Sequence, residues 1–332
     1  MKRILVIGLS NVGDAVLMSP VIASLRARFP NAELTLVAGE RARLIFEHDP
    51  RITRLIGFEE YRGALGRLRL AGLVWSIRPD ALIDLRQTAL PLIWRPWRAW
   101  RYFRPAPRSI PHMRERHLWR MRQQLGVTGP AASPVPPALW VSPESAAYAD
   151  KLLLRWGVRS GALVIVCPGA RSHIKRWSAE RFAQLADRLT GAYHCQVVLT
   201  GSPADLALVD TIAKNMITES IRIDGHTTFR QMAACVEQAD LVIANDTGIL
   251  HIAAALRRPL IGLYGPTSPS ITGPLGDEQQ TIVIHHPACC PAIPCLQPNH
   301  PSFPGMDAIT VEEVCDAAVT VLQERFDLGR SS

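Results

Sequence analysis

Three short stretches put reactive or ion-binding side chains where an apolar strand hands over to an apolar helix. In "GLSNVGDAVLM" the carboxylate of Asp14 stands at the mouth of a helix. In "CPGARSHIKRW" Gly169, Arg171, Lys175 and Arg176 gather backbone donors and positive charge. In "LVIANDTGILHIAAAL" a buried-strand run stops at Asn245, Asp246, Thr247 and Gly248, and the helix that follows carries His251 on its first turn. A helix N-terminus offers free N–H groups and a partial positive charge, which suits a phosphate. Gly248 lets a ligand approach the backbone closely. Asp246 can then accept from sugar hydroxyls beside that phosphate, and the cations of 167–177 form a diphosphate clamp. A carboxylate such as Asp14 can take the proton of an attacking hydroxyl. Simpler readings exist for each: Asp246 or Thr247 as a helix N-cap contributing about 1 kcal/mol, Asp14 as an acid favoured by the helix dipole, and the 167–177 stretch as a solvated basic loop. A cap accounts for one polar residue in 245–251 and leaves His251 unexplained.

The elements that must position these groups follow from apolar periodicity. "KRILVIGL" reads as a buried parallel strand and "DAVLMSPVIASLRARFP" as a helix closed by Pro30. "AELTLVAG", "RITRLIGF" and "PDALIDLR" continue the strands. Residues 127–146, rich in proline, alanine and serine, read as a linker. The rhythm then restarts with "ALVIVCPGA", "CQVVLTGSP", "ESIRIDG", "DLVIAND" and "RPLIGLYG" as strands separated by helices. Alternation of this kind gives α/β, doubly wound parallel sheets, here in two domains, 1–140 and 141–332, facing a cleft. Ligands of such sheets sit at the carboxyl ends of strands, where all three polar stretches lie. Neither the GxGxxG of a dinucleotide site nor the GK[ST] of a P-loop is present, which argues against a dehydrogenase or a P-loop NTPase.

The chain has 332 residues, 48% hydrophobic and 20% charged, and no apolar run long enough to span a bilayer. The amino-terminal stretch reads as a first strand rather than a signal peptide. Seven cysteines, an odd number, point to a reducing cytosol without a disulfide framework. The net charge of +8 favours anionic partners. Much of it falls in residues 94–122, where nine arginines face one acid, Glu115, and four tryptophans are interleaved. Arg95, Arg98 and Arg101 alternate with Trp94, Trp97 and Trp100, a pattern that on a helix mixes indole and guanidinium on one face and suits an anionic membrane interface. Interleaved aromatics and arginines also suit single-stranded nucleic acid, but no nucleic-acid motif accompanies them and no such partner is expected.

The chain resembles glycosyltransferase family 9, the heptosyltransferase-like enzymes of lipopolysaccharide core assembly. "SNVGDAVLMSPVIASLRARFPNAELTLV", "PGARSHIKRW", "LTGSPAD" and "ANDTGILHIAAAL…PLIGLYGPT" carry the resemblance, in the family's order and over nearly the whole chain. It implies a GT-B fold, two Rossmann-like domains with the active site between them, the first binding acceptor and the second the nucleotide sugar. It also implies an inverting, metal-independent transfer from a nucleotide-diphosphate sugar, typically ADP-heptose, to a glycolipid. By position Asp14 corresponds to the catalytic base and Lys175 to the residue neutralising the leaving diphosphate. Asp246 corresponds to the donor-sugar ligand, with Thr247, Gly248 and His251 around the phosphates and Gly169 and Arg171 beside them. Ala170 and Arg171 stand where relatives often have threonines, and Gly305 where they often have cysteine. Cys289, Cys290 and Cys295, near His285, His286 and His300, read as part of a proline-rich loop rather than a metal site, and no cofactor is expected. A GT-B transferase or epimerase with another sugar nucleotide, or a non-catalytic nucleotide-binding protein, are the alternatives. The expected location is cytoplasmic, peripheral to the inner membrane.

Overall fold

The computed structural model describes residues 1–127, 139–158, 161–223, 225, 227–275, 280–287 and 303–326. The chain divides into two compact units, Met1–Trp140 and Val141–Ser332. Most of the linker expected at 127–146 lies outside the described residues.

In the first unit four strands, β1 (Arg3–Ile7), β2 (Glu33–Ala38), β3 (Arg54–Gly57) and β4 (Ala81–Asp84), form a parallel sheet in the order β3-β2-β1-β4. In the second, β5 (Leu163–Cys167), β6 (Gln196–Leu199), β7 (Ile221–Arg222), β8 (Leu241–Asn245), β9 (Leu260–Tyr264) and β10 (Thr281–His285) form a parallel sheet in the order β10-β9-β8-β5-β6-β7. The central strands are continuous apolar runs because helices cover both faces. Leu5, Ile7, Val37 and Leu82 are buried in the first core, and Val164, Val166, Leu241, Ile243 and Leu263 in the second.

Each sheet is doubly wound. The chain starts in the middle with β1 or β5, adds strands to one side, then crosses to the other with β4 or β8. Connections leaving a sheet on opposite faces open a crevice at that switch point. It lies between β1 and β4 in one unit and between β5 and β8 in the other. Three of the four loops that follow these strands carry the polar groups singled out above.

Local chemistry sets the helix starts. Ser178 accepts from the Arg181 N–H at 3.3 Å and opens the helix Ala179–Tyr193. Thr228 and Gln231 form a reciprocal capping box on Phe229–Gln238. Ser142 caps Pro143–Arg155, whose proline occupies the first turn, where a missing N–H is harmless.

Three differences from the sequence-based expectation stand out. β10 and the helix Met113–Leu125 had not been anticipated. The strand lies at the sheet edge with only Ile284 buried, and arginines dilute the apolar face of the helix, although His117, Leu118 and Met121 share its buried side. Third, residues 94–104 are not one helix. The helix Leu90–Trp94 ends at Arg95, which leaves the helical region at φ −145° and ψ 76°, since a following proline disfavours helical backbone in the residue before it. A 3-10 turn, Pro96–Arg98, and a single helical turn, Trp100–Phe103, follow. Among the described residues no helix is long and apolar enough to cross a membrane.

Candidate functional site

In the second unit the loop after β5 is held rigidly against the end of β8. Asn245, buried at that strand end, accepts from the Trp177 N–H at 3.2 Å and donates through its side-chain nitrogen to the Pro168 carbonyl at 2.7 Å. The Trp177 indole donates to the Ile309 carbonyl at 3.0 Å and meets Phe182 edge-on, with ring centroids 5.0 Å apart. Arg176 folds back on its own loop, donating to the Ala170 carbonyl at 2.9 and 3.1 Å and approaching Asp205 at 3.4 Å. Asp205 in turn accepts from Ser202 Oγ at 2.6 Å. Gly169 is a glycine because a Cβ there would run into the Asp205 carboxylate. Arg176 and Gly169 therefore have structural work within the loop.

With the loop so fixed, Lys175 reaches across to β8. Its Nζ donates to Asp246 Oδ2 at 2.6 Å, and Thr267, from the loop after β9, donates to the same oxygen at 2.7 Å. The side chains of Lys175 and Asp246 keep 21% and 9% of their surface exposed. Burial alone would raise the Asp246 carboxyl. The Lys175 charge, the two hydrogen bonds and His251 outweigh it and hold the pKa below the ordinary carboxylate value. Tyr264, buried at the end of β9, has its hydroxyl pushed well above the ordinary range, first by burial and then by the Asp246 charge.

Thr247 adopts the extended backbone of an N-cap to the helix Gly248–Ala255, yet its hydroxyl makes no cap hydrogen bond. Its Oγ1 is buried without a hydrogen-bond partner among the described residues. Such an atom is costly to leave unsatisfied and is explained by a ligand or ordered water. Gly248 opens the helix and His251 is buried on its first turn. The structure thus gathers Lys175, Asp246, Thr247, Gly248 and His251 at one switch point, while Arg171 is exposed on the loop surface.

Asp14 lies in the first unit, on the first turn of the helix Val12–Arg28, and accepts from the Asn11 side chain at 2.9 Å. The turn that carries it is braced from β4. Arg86 donates to the Gly8 carbonyl at 3.1 Å and to Ser10 Oγ, with its guanidinium 3.9 Å over the Phe58 ring. Burial lowers the Arg86 pKa. Asp84 holds the Arg86 loop by accepting from the Arg86 N–H at 3.0 Å and the Thr88 N–H at 2.7 Å. Burial raises the Asp84 pKa against these hydrogen bonds.

The family model for glycosyltransferase family 9 (heptosyltransferase) matches residues 97–299. The chain belongs to glycosyltransferase family 9. Lipooligosaccharide heptosyltransferase 2 of Haemophilus influenzae is 29% identical over 308 residues, covering 84% of this chain and 88% of the relative. The solved ADP-heptose LPS heptosyltransferase II of E. coli superposes with a TM-score of 0.77 at 27% identity, covering 98% of this chain and 99% of the other. A family 9 glycosyl transferase from Veillonella parvula superposes with a TM-score of 0.79 at 26% identity, covering 97% of both chains. The fold is GT-B, with two Rossmann-like units.

In this glycosyltransferase the arginine–tryptophan segment presents its indoles to solvent. Trp97 and Trp100 are 71% and 61% exposed, whereas Trp94 packs on the core. The Arg95 guanidinium stacks on Trp94 at 4.2 Å and that of Arg101 on Trp100 at 5.4 Å, while Arg98 is exposed. Of fourteen large apolar side chains exposed among the described residues, eight fall between positions 65 and 103. His285 pairs with the Gly265 carbonyl at 3.1 Å and His286 with Glu313 at 3.0 Å. Cys289, Cys290, Cys295 and His300 lie outside the described residues, and among those described no cluster of three or more metal-ligating side chains occurs.

The sequence does not single out Thr267, Asp205 or Arg86, and it marks Asn245 only as part of the polar run 245–248, whereas the structure gives it the role of tying the loop after β5 to β8. Thr267 could have been singled out, because "GPT" follows β9 just as "DTG" follows β8. Asp84 ends β4 and Arg86 follows it, without a glycine to mark them.

Proposed function

We propose that this glycosyltransferase moves heptose from ADP-heptose onto a hydroxyl of a lipopolysaccharide core or related anionic glycolipid, with inversion. The observation that carries the donor side is the Lys175–Asp246–Thr267 cluster at the β5/β8 switch point, next in chain to a Thr247 hydroxyl buried without a hydrogen-bond partner among the described residues. The names of the relatives, heptosyltransferases acting in lipopolysaccharide or lipooligosaccharide synthesis, support the choice of sugar and acceptor.

In this reading Lys175 spends one of its three N–H donors on Asp246 and turns the others to the leaving diphosphate. The N–H groups of Gly248 and its neighbours and the Thr247 hydroxyl complete the anion socket, so charge developing on ADP is met by fixed donors. Gly169, Arg171 and His251 border it. Asp246, held ionised by Lys175 and Thr267, orients the sugar hydroxyls. Asp14 takes the acceptor proton as the new glycosidic bond forms and the bond to diphosphate breaks. The enzyme works at the cytoplasmic face of the inner membrane, with Arg95, Arg98 and Arg101 toward anionic headgroups.

Asp14→Asn tests the catalytic assignment. It preserves shape and hydrogen bonding but removes the base, so turnover should fall by roughly 100- to 10,000-fold with donor affinity unchanged. Turnover near that of the wild type would remove Asp14 from the mechanism.

A further inference from the structure

The first unit contains a cavity of about 450 Å³ that no step of the proposed reaction uses. Its size lies within the roughly 300–1,000 Å³ of small-molecule sites. Its walls are Phe58, Tyr61, Leu70, Ala89, Leu90 and Ile93, from the turn after β3, the helix Gly63–Ile77 and the helix Leu90–Trp94. The charged side chains lining it are Arg62 and Arg67, both exposed, with no acid beside them in the lining. Glu59 touches Arg62 only at 3.5 Å in an open pair, which leaves that guanidinium able to take a stronger anion.

The surroundings are as telling as the walls. Ile93 lines the cavity and is also half-exposed, next to exposed Leu92, and Trp97 follows within the same surface segment. On the other wall the helix Gly63–Ile77 turns Leu65, Leu68 and Trp75 to solvent. This is more apolar surface than isolated exposed residues explain, and patches of this kind mark interaction sites. Arginines interrupt it at Arg67, Arg69, Arg95 and Arg98. An apolar cavity opening within such a surface, with guanidinium groups at its lining, is complementary to a single hydrocarbon chain that ends in an anionic headgroup.

We infer that this cavity admits one acyl chain of an anionic lipid, whose phosphate meets Arg62 and Arg67. The inference rests on the membrane-docking part of the proposed function and gives it a specific anchor. A basic, indole-rich surface alone senses charge and headgroup depth. A cavity that takes a chain adds a term that grows with chain length.

The test is calorimetry of the full chain with lysophosphatidylglycerols of increasing chain length, below their micelle concentrations, with lysophosphatidylcholine as the zwitterionic control. One molecule should bind per chain, about fourfold more tightly for each added methylene, and the phosphatidylglycerol series should bind more tightly than its control. Ala89→Phe fills the cavity from an exposed position whose side chain makes no cap hydrogen bond. It should weaken binding at least tenfold and flatten the chain-length series. Ile93→Asn, at a half-exposed wall position, should do the same by making the wall polar. Arg62→Gln with Arg67→Gln should erase the headgroup preference and keep the chain-length slope. Affinity independent of chain length, or wild-type affinity in both cavity variants, would overturn the inference. Chain binding by a protein that fails to sediment with anionic vesicles would support the cavity's occupant and sink the membrane-docking reading instead.

Discussion

Removing Lys175 should reverse the electrostatics of the candidate donor site, and the reversal has a pH signature. In the wild type Asp246 lies below the ordinary value of 3.8 because Lys175 and Thr267 outweigh burial. Its stabilisation is therefore complete above that value and lost only as pH falls through the lower folded-state pKa. In Lys175→Ala, burial, the largest single influence, is opposed only by Thr267 and His251, and the carboxyl should move above 3.8. Breaking a buried pair by deleting one partner costs about 3–5 kcal/mol. Lys175 keeps 21% of its side chain in water and the Thr267 hydrogen bond survives, so about 2–3 kcal/mol is expected at about pH 8. As pH falls through the raised pKa, Asp246 takes up a proton in the folded state and the deficit shrinks, so it should be clearly smaller at about pH 4 than at about pH 8. Urea unfolding of the wild type, Lys175→Ala, Asp246→Asn and the double variant at the two pH values measures this directly. The double variant should recover at least about 1 kcal/mol of the sum of the single losses, as coupled neighbours do. A pH-independent deficit, or coupling below about 0.5 kcal/mol, would refute the reasoning and reduce the pair to a surface contact.

Three further outcomes are expected. His117 is buried with neither ring nitrogen hydrogen-bonded among the described residues, and burial, then Arg120 and His112, push its pKa down to about 3. Because the unfolded ring titrates near 6.5, stability is full above that value and falls on acidification, by about 2 kcal/mol at about pH 5; His117→Leu should flatten this loss in urea unfolding of the first unit. Gly169→Ala should cost about 1–3 kcal/mol by overpacking against Asp205, and thermal denaturation of Gly169→Ala with Asp205→Ala should show a less-than-additive loss. Arg95→Gln, Arg98→Gln and Arg101→Gln together should weaken co-sedimentation with anionic vesicles by about 3 kcal/mol at low salt, about 1 kcal/mol for each charge. Donor binding by calorimetry should be untouched, and equal sedimentation with neutral vesicles would count against the docking role.

The sequence by itself determined a good deal. Buried parallel strands must be continuous apolar runs, so "ILVI", "LVIV" and "LVIAN" announce β1, β5 and β8. A polar cluster at the end of such a run needs a reason, which is why Asp14, Lys175 and the Asp246–His251 group stand out as candidates without coordinates. The edge and diluted elements escaped. β10 is five residues on an edge, and the helix Met113–Leu125 hides its buried face among arginines. Residues 94–104 broke at Pro96, where a proline overrides a periodic pattern. What only the tertiary structure decided is which of the polar groups touch. Lys175 and Asp246 are 71 residues apart and Thr267 another 21. They meet because β5, β8 and β9 are neighbours in the sheet. Strand order is set by how two layers of helices share one sheet, a property of the whole packed unit. Periodicity along the chain shows that a residue stands at the end of a strand, and only the sheet shows what stands beside it.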